Sequence, residues 1–180
     1  MVTFRLAFDP RQIAALADRY WDSWSRRQCD LERSLENVIA PRARARGWYT
    51  RAEFCELAYW KSPRQKARVR SNTARDIREV TRSALSHENE RVRIGGLIAL
   101  GGVSWPTASA CLHFGCADRY PILDFRALWS VGHEGSPSYG FDLWWSYTDY
   151  CRRLGRKHRV SMRVLDRALW QHSKENQPKA

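Results

Sequence analysis

A turn of small residues, Leu100-Gly101-Gly102-Val103-Ser104, separates two stretches of helical apolar spacing, and Asp124 opens the next such stretch. A turn of this composition presents consecutive backbone N–H groups at a helix N-terminus, where they and the macrodipole attract an anion. Only backbone touches the anion there, so such binding need not read a sequence. A carboxylate at a helix start has two uses. It accepts the orphan N–H groups of the first turn as an N-cap. It is also a fixed negative charge that stabilises a developing cation and orients or deprotonates a water.

The basic residues point to a polyanion. Lys and Arg total 31 against 19 Asp and Glu, a net charge of +12. All but five of the 31 are arginines, which fork onto phosphate and stack on flat rings where lysine is a point charge. Two clusters read as backbone contacts for nucleic acid: Arg64, Arg68 and Arg70 in residues 64–70, and Arg152 and Arg153 in residues 152–159. A merely solvated basic face has the same composition. Nine tryptophans supply core volume and flat surface on which a base stacks.

Helix-period spacing runs almost throughout. Asp9-Pro10 reads as N-cap and first turn of a helix carrying Ile13, Leu16, Ala17, Tyr20, Trp21 and Trp24. A second helix starts near Asp30, with Leu31, Leu35, Val38 and Ile39 inward, and leads to the basic stretch 41–47. Thr50 and Glu53 form a capping-box pair for a third, which Pro63 ends. Further helices fit residues 72–85, 89–100, 106–114, 124–131, 141–154 and 161–172, with 132–140 a loop. Tyr120-Pro121-Ile122-Leu123 is extended, because the residue before proline is pushed out of helix. No strand pair is legible, so the predicted class is all-α. One domain spans 1–174, with a hairpin at about 90–114 and a flexible tail at 175–180.

No apolar run is long enough for a membrane span, and the start Met1-Val2-Thr3-Phe4-Arg5 lacks an apolar signal core, so a cytoplasmic protein is expected. The five cysteines lack paired spacing and read as reduced thiols, with neither a disulfide framework nor a metal site.

Residues 97–129 carry the most specific signal. Leu100, Gly102, Val103, Thr107 and Ala108 fit the pattern Leu-x-Gly-Val-Gly-x-x-Thr-Ala, and Pro121, Ile122 and Asp124 fit the following Pro-Val-x-Asp. In this the chain resembles the helix-hairpin-helix DNA glycosylase superfamily. The resemblance implies a two-subdomain helical fold, duplex DNA with a flipped base as partner, a monovalent ion at the hairpin, and a monomer. Hairpin contacts to DNA would come from Gly102, Val103, Ser104 and Thr107. Ser104 replaces the second turn glycine, which serine tolerates if its φ stays negative. Pro106 stands where bifunctional members carry a Schiff-base lysine, so that covalent route is closed there. The C-terminal four-cysteine pattern of an iron–sulfur cluster is lacking, and no cofactor is expected.

By resemblance Asp124 is the catalytic carboxylate of a monofunctional glycosylase. It would face the positive charge that builds on the deoxyribose as the base leaves. The base must be flipped into a pocket, for which Trp60, Lys61, Phe125, Tyr139, Trp144 and Trp145 are the candidates. Neighbouring Trp144 and Trp145 point about 100° apart on one helix, so both cannot face the core. The substrate is a damaged or modified base, hypermodified phage cytosines included, and the setting is repair or defence. Two rivals stay open: a binder that kept the hairpin without chemistry, and a lyase using another amine such as Lys61.

Overall fold

A computed structural model describes residues 3–133 and 135–178. Eleven α-helices account for most of these residues, and no strand occurs among them. The chain divides into two units: Arg26–Ala117, and the flanking segments Met1–Ser25 with Asp118–Ala180.

In the unit Arg26–Ala117, α2 (Arg26–Ser34) passes through a π-helical turn, Leu35–Ile39, into α3 (Ala40–Arg46). The helix thus begins earlier than its apolar spacing suggests and absorbs the basic stretch 41–47. Pro41 is accommodated because the wider π turn lies directly before it. Leu35 and Ile39 are buried, but Val38 is exposed. Gly47, at φ 81°, ends α3 in the left-handed conformation.

The capping box of Thr50 and Glu53 starts α4 (Arg51–Lys61), which buries Phe54, Leu57 and Ala58. A short α5 (Lys66–Arg70) follows, then α6 (Ala74–Ser86), α7 (Glu90–Ile98) and α8 (Trp105–Gly115). The side chains of Thr73 and Asn89 cap α6 and α7. Every residue of α8 from Thr107 on is buried, so α8 is the axis of this unit, with α3, α4, α6 and α7 packed on it. Buried Tyr49 ties it in: its hydroxyl donates to Cys111 O at 3.0 Å, and its N–H donates to Thr81 Oγ1 at 3.0 Å.

The other unit holds α1 (Ile13–Arg19), α9 (Phe125–Trp129), α10 (Phe141–His158) and α11 (Met162–Asn176). Asp9 caps the turn before α1 by accepting the Arg11 N–H. The face Leu143, Trp144, Tyr147, Thr148, Cys151 and Leu154 makes α10 amphipathic. α1 and α9 pack on α11. Before α1, residues 5 and 7 donate to the end of α9, with Arg5 N–H to Val131 O at 3.0 Å and Ala7 N–H to Ser130 O at 2.9 Å.

The tail expected to fray after Lys174 instead continues α11. Glu175 accepts both Nε and Nη2 of Arg19 at 2.9 Å, an ion pair that holds its carboxyl down at about 2. Lys179 and Ala180 lie outside the described residues. Among the described residues, no helix is long and apolar enough to cross a membrane.

Candidate functional site

The first candidate surface lies in the unit Arg26–Ala117. Gly102 has φ 76°, so glycine there answers a backbone demand. It also answers a packing demand, because a Cβ would sit 2.9 Å from both Arg68 Cβ and Val69 N. The hairpin turn is therefore pressed against α5. Asn72 clamps the two: its Oδ1 accepts the Gly101 N–H at 2.7 Å, and its Nδ2 donates to Gly101 O at 2.9 Å. Arg51 secures the end of α5 by donating to Arg70 O at 2.6 Å and Asn72 O at 3.0 Å.

This packing brings the 64–70 cluster to the hairpin, although the two are distant in sequence. Arg64, Arg68 and Arg70 are exposed. Lys66 Nζ and the Arg70 guanidinium lie 5.4 and 5.7 Å from the Tyr59 ring centre. Val103 is buried as the apolar plug and donates to Leu100 O at 3.1 Å. Ser104 caps α8 with φ −99°, the negative value serine needs there. Thr107 is buried, its hydroxyl 3.4 Å from that of Ser104, so it braces the turn from inside rather than facing a ligand. The N–H groups of Gly102 and Ser104 have no acceptor among the described residues. The carbonyls of Leu100 and Gly101 already accept internal hydrogen bonds.

Gly102→Ala is expected to destabilise the protein by about 2–4 kcal/mol, from left-handed strain plus overpacking against α5. Urea unfolding measures this. A loss below about 1 kcal/mol would mean that hairpin and α5 are not so closely packed.

The second candidate lies in the other unit. Asp124 N-caps α9: its Oδ1 accepts the Arg126 N–H at 3.0 Å, and its backbone is extended at φ −145°. The side chain is half-buried. Phe125 beside it is 49% exposed, unusual for so large an apolar ring. The Arg126 guanidinium lies 5.0 Å from the Phe125 ring and 5.5 Å from that of Trp170. The Tyr139 phenol is pushed up to about 12, first by burial and then by the negative charge of Asp124. The charge of Asp124 is thus felt at Tyr139 on the 132–140 loop.

One sequence candidate needs correction. Trp144 is fully buried, parallel to Tyr120 at 6.0 Å, and forms core rather than a pocket wall. Trp145, its neighbour, is half-buried against Phe141. Arg153 is exposed and pairs with Asp149 one turn away, and Arg152, half-buried, donates Nε to Arg119 O at 2.7 Å. Trp60 and Lys61, at the end of α4, belong to the hairpin's unit and are half-buried. Trp60 packs edge-on against Phe114 at 5.5 Å.

Of the other acids, Asp166 is structural, accepting from Ile122 N at 3.3 Å and Arg163 Nη1 at 2.7 Å. All five cysteines are free, and burial pushes the Cys111 and Cys151 thiols up, away from nucleophilic thiolate. Among the described residues, no group of three or more His, Cys, Asp or Glu is placed to hold a metal.

Asn72 and Arg51 escaped sequence reasoning. Neither belongs to a motif, and their hydrogen-bonding partners become visible only when α5 meets the turn. Compared with known proteins, the chain matches no protein-family model, no curated protein and no solved structure.

Proposed function

We propose that the protein is a monofunctional helix-hairpin-helix DNA glycosylase that binds duplex DNA through the hairpin and hydrolyses the N-glycosidic bond of a flipped, modified base. The observation that carries this reading is a hairpin of the superfamily's pattern followed by Asp124, a half-buried helix-start carboxylate flanked by an exposed Phe125 and a neutral Tyr139. Phe125 would stack on the displaced base or its neighbours. The Asp124 carboxylate would stabilise the sugar cation and orient the attacking water, while Tyr139 donates a hydrogen bond. The free N–H groups of Gly102 and Ser104, with Arg68 and Arg70, would hold the phosphate backbone.

The test is a screen over duplexes that each carry one uracil, alkylated, oxidised or hypermodified base, scored by abasic-site cleavage in alkali. Release of one base class by the wild type is expected. Borohydride should trap no covalent complex on abasic DNA, since Pro106 has no amine. Trapping would instead favour a lyase, with Lys61 the first residue to substitute. A hairpin binder without chemistry is favoured by one observation: the Asp124 carboxylate is already used in capping α9. The Asp124 substitution discussed below separates the two.

A further inference from the structure

We propose that a second site, a pocket where α10 gives way to α11, binds a phosphomonoester dianion. The pocket is an open one of about 650 Å³, lined by Arg119, Arg152, Arg156 and Arg159, with Asp118 and Ser161. That volume lies within the ordinary range for small-ligand sites. Four arginines and a single acid, Asp118, line it. That carboxylate is committed, because Asp118 accepts the Met162 N–H. Among the described residues, no acid pairs with Arg119, Arg156 or Arg159.

Neutralising the C-terminal dipole of α10 explains Arg156, and Arg159 at its cap, but not Arg119, which comes from the segment before α9. Arg152 is held in place by Arg119 O and by the Tyr120 and Trp145 rings, at 4.8 and 5.3 Å. The arginines therefore converge from two separate parts of the chain. Ser161 caps α11 by accepting the Val164 N–H at 3.2 Å, which puts the positive end of a 15-residue helix at the same place.

The backbone adds a separate sign. The only non-glycine residues with positive φ among the described residues are Asp118, at 53°, and Arg159, at 54°, and both line this pocket. Arg159 ends α10 where glycine or asparagine is usual. Strained backbone kept at a concave charged surface is a mark of a binding site. A dianion with three terminal oxygens suits forked guanidiniums and relieves their mutual repulsion. It would be the end phosphate of a nucleic-acid strand or a free phosphorylated small molecule. Neither Asp124 nor the hairpin lines the pocket, so the site stands whether or not base excision does.

Calorimetry of the full chain with inorganic phosphate, against chloride at equal ionic strength, is the test. Saturable one-site binding is expected, weakened on the order of tenfold by each of Arg156→Gln and Arg159→Gln. Arg159→Gly removes the guanidinium while relieving the left-handed backbone, so it should weaken phosphate binding yet raise the melting temperature. Short oligonucleotides with a 5′-phosphate or a 5′-hydroxyl tell the sources apart. A preference for the phosphorylated end that Arg156→Gln abolishes identifies a strand end. Tight pyrophosphate binding with no end preference identifies a small molecule. No saturable binding beyond chloride, or variants that bind phosphate like the wild type, would overturn the proposal.

Discussion

Asp124→Asn is expected to cut base release by about a hundredfold or more while leaving folding and DNA affinity nearly unchanged. Losing one preorganised electrostatic contact to a developing charge costs on the order of 10²–10³ in rate. Asparagine caps a helix about as well as aspartate, so the Arg126 N–H keeps an acceptor and stability should move by only a few tenths of a kcal/mol. A second readout comes from Tyr139. Its phenol is raised by burial and by the Asp124 charge, so the neutral amide should let its ionisation midpoint fall part of the way back from about 12. Carbon-13 NMR of the tyrosine ring as pH rises measures that fall. A Tyr139 midpoint that does not move would deny the closeness of the two groups. A wild type active on some base, beside an equally active Asp124→Asn protein, would defeat the catalytic role and leave Asp124 a cap.

The second large effect concerns the basic rim of the hairpin. Arg68→Gln with Arg70→Gln should weaken DNA binding by roughly tenfold per lost phosphate contact near 0.1 M salt, and lower the slope of log affinity against log salt by about 0.9 per contact. Both side chains are exposed, so unfolding free energy should stay within about 0.5 kcal/mol of wild type. Arg68→Lys with Arg70→Lys keeps the charge and should retain the slope while losing some affinity, because the ammonium cannot fork onto phosphate. The loss should be similar for unrelated duplex sequences, as expected of backbone contacts. Affinity that ignores salt, or a glutamine variant that binds like the wild type, would remove DNA from this surface. Arg152 is a poorer test residue, because its removal also strips packing from Tyr120 and Trp145.

Composition overstates the number of arginines that wait for a partner. Arg93 is buried and donates to the carbonyls of Ala84 and Leu85 at 3.0 and 3.1 Å, closing the end of α6. Arg44 donates to Phe114 O at 2.9 Å, and Arg46 pairs with Glu53 and covers the Trp48 ring. Such arginines serve the fold as forked donors to orphan carbonyls. A count of charge cannot tell them from Arg68 or Arg156.

What residue order alone determined is the local structure: the all-helical class, the caps at Asp9, Thr50 and Asp124, the break at Gly101-Gly102 and the restart at Pro106. Each depends on a few neighbouring residues, through cap hydrogen bonds, the missing N–H of proline or the period of apolar side chains. The register of α2 escaped this reading because the π turn shifts which face lies inward. Tertiary packing alone decided the rest. Of the adjacent Trp144 and Trp145 it buried the first, which a 100° step allows but does not choose. It set α5 against the hairpin through Asn72 and a glycine with no room for a Cβ, and it gathered Arg119 with Arg156 and Arg159 around one cavity. Contacts between residues tens of positions apart depend on how whole helices pack, and no local propensity or spacing records that.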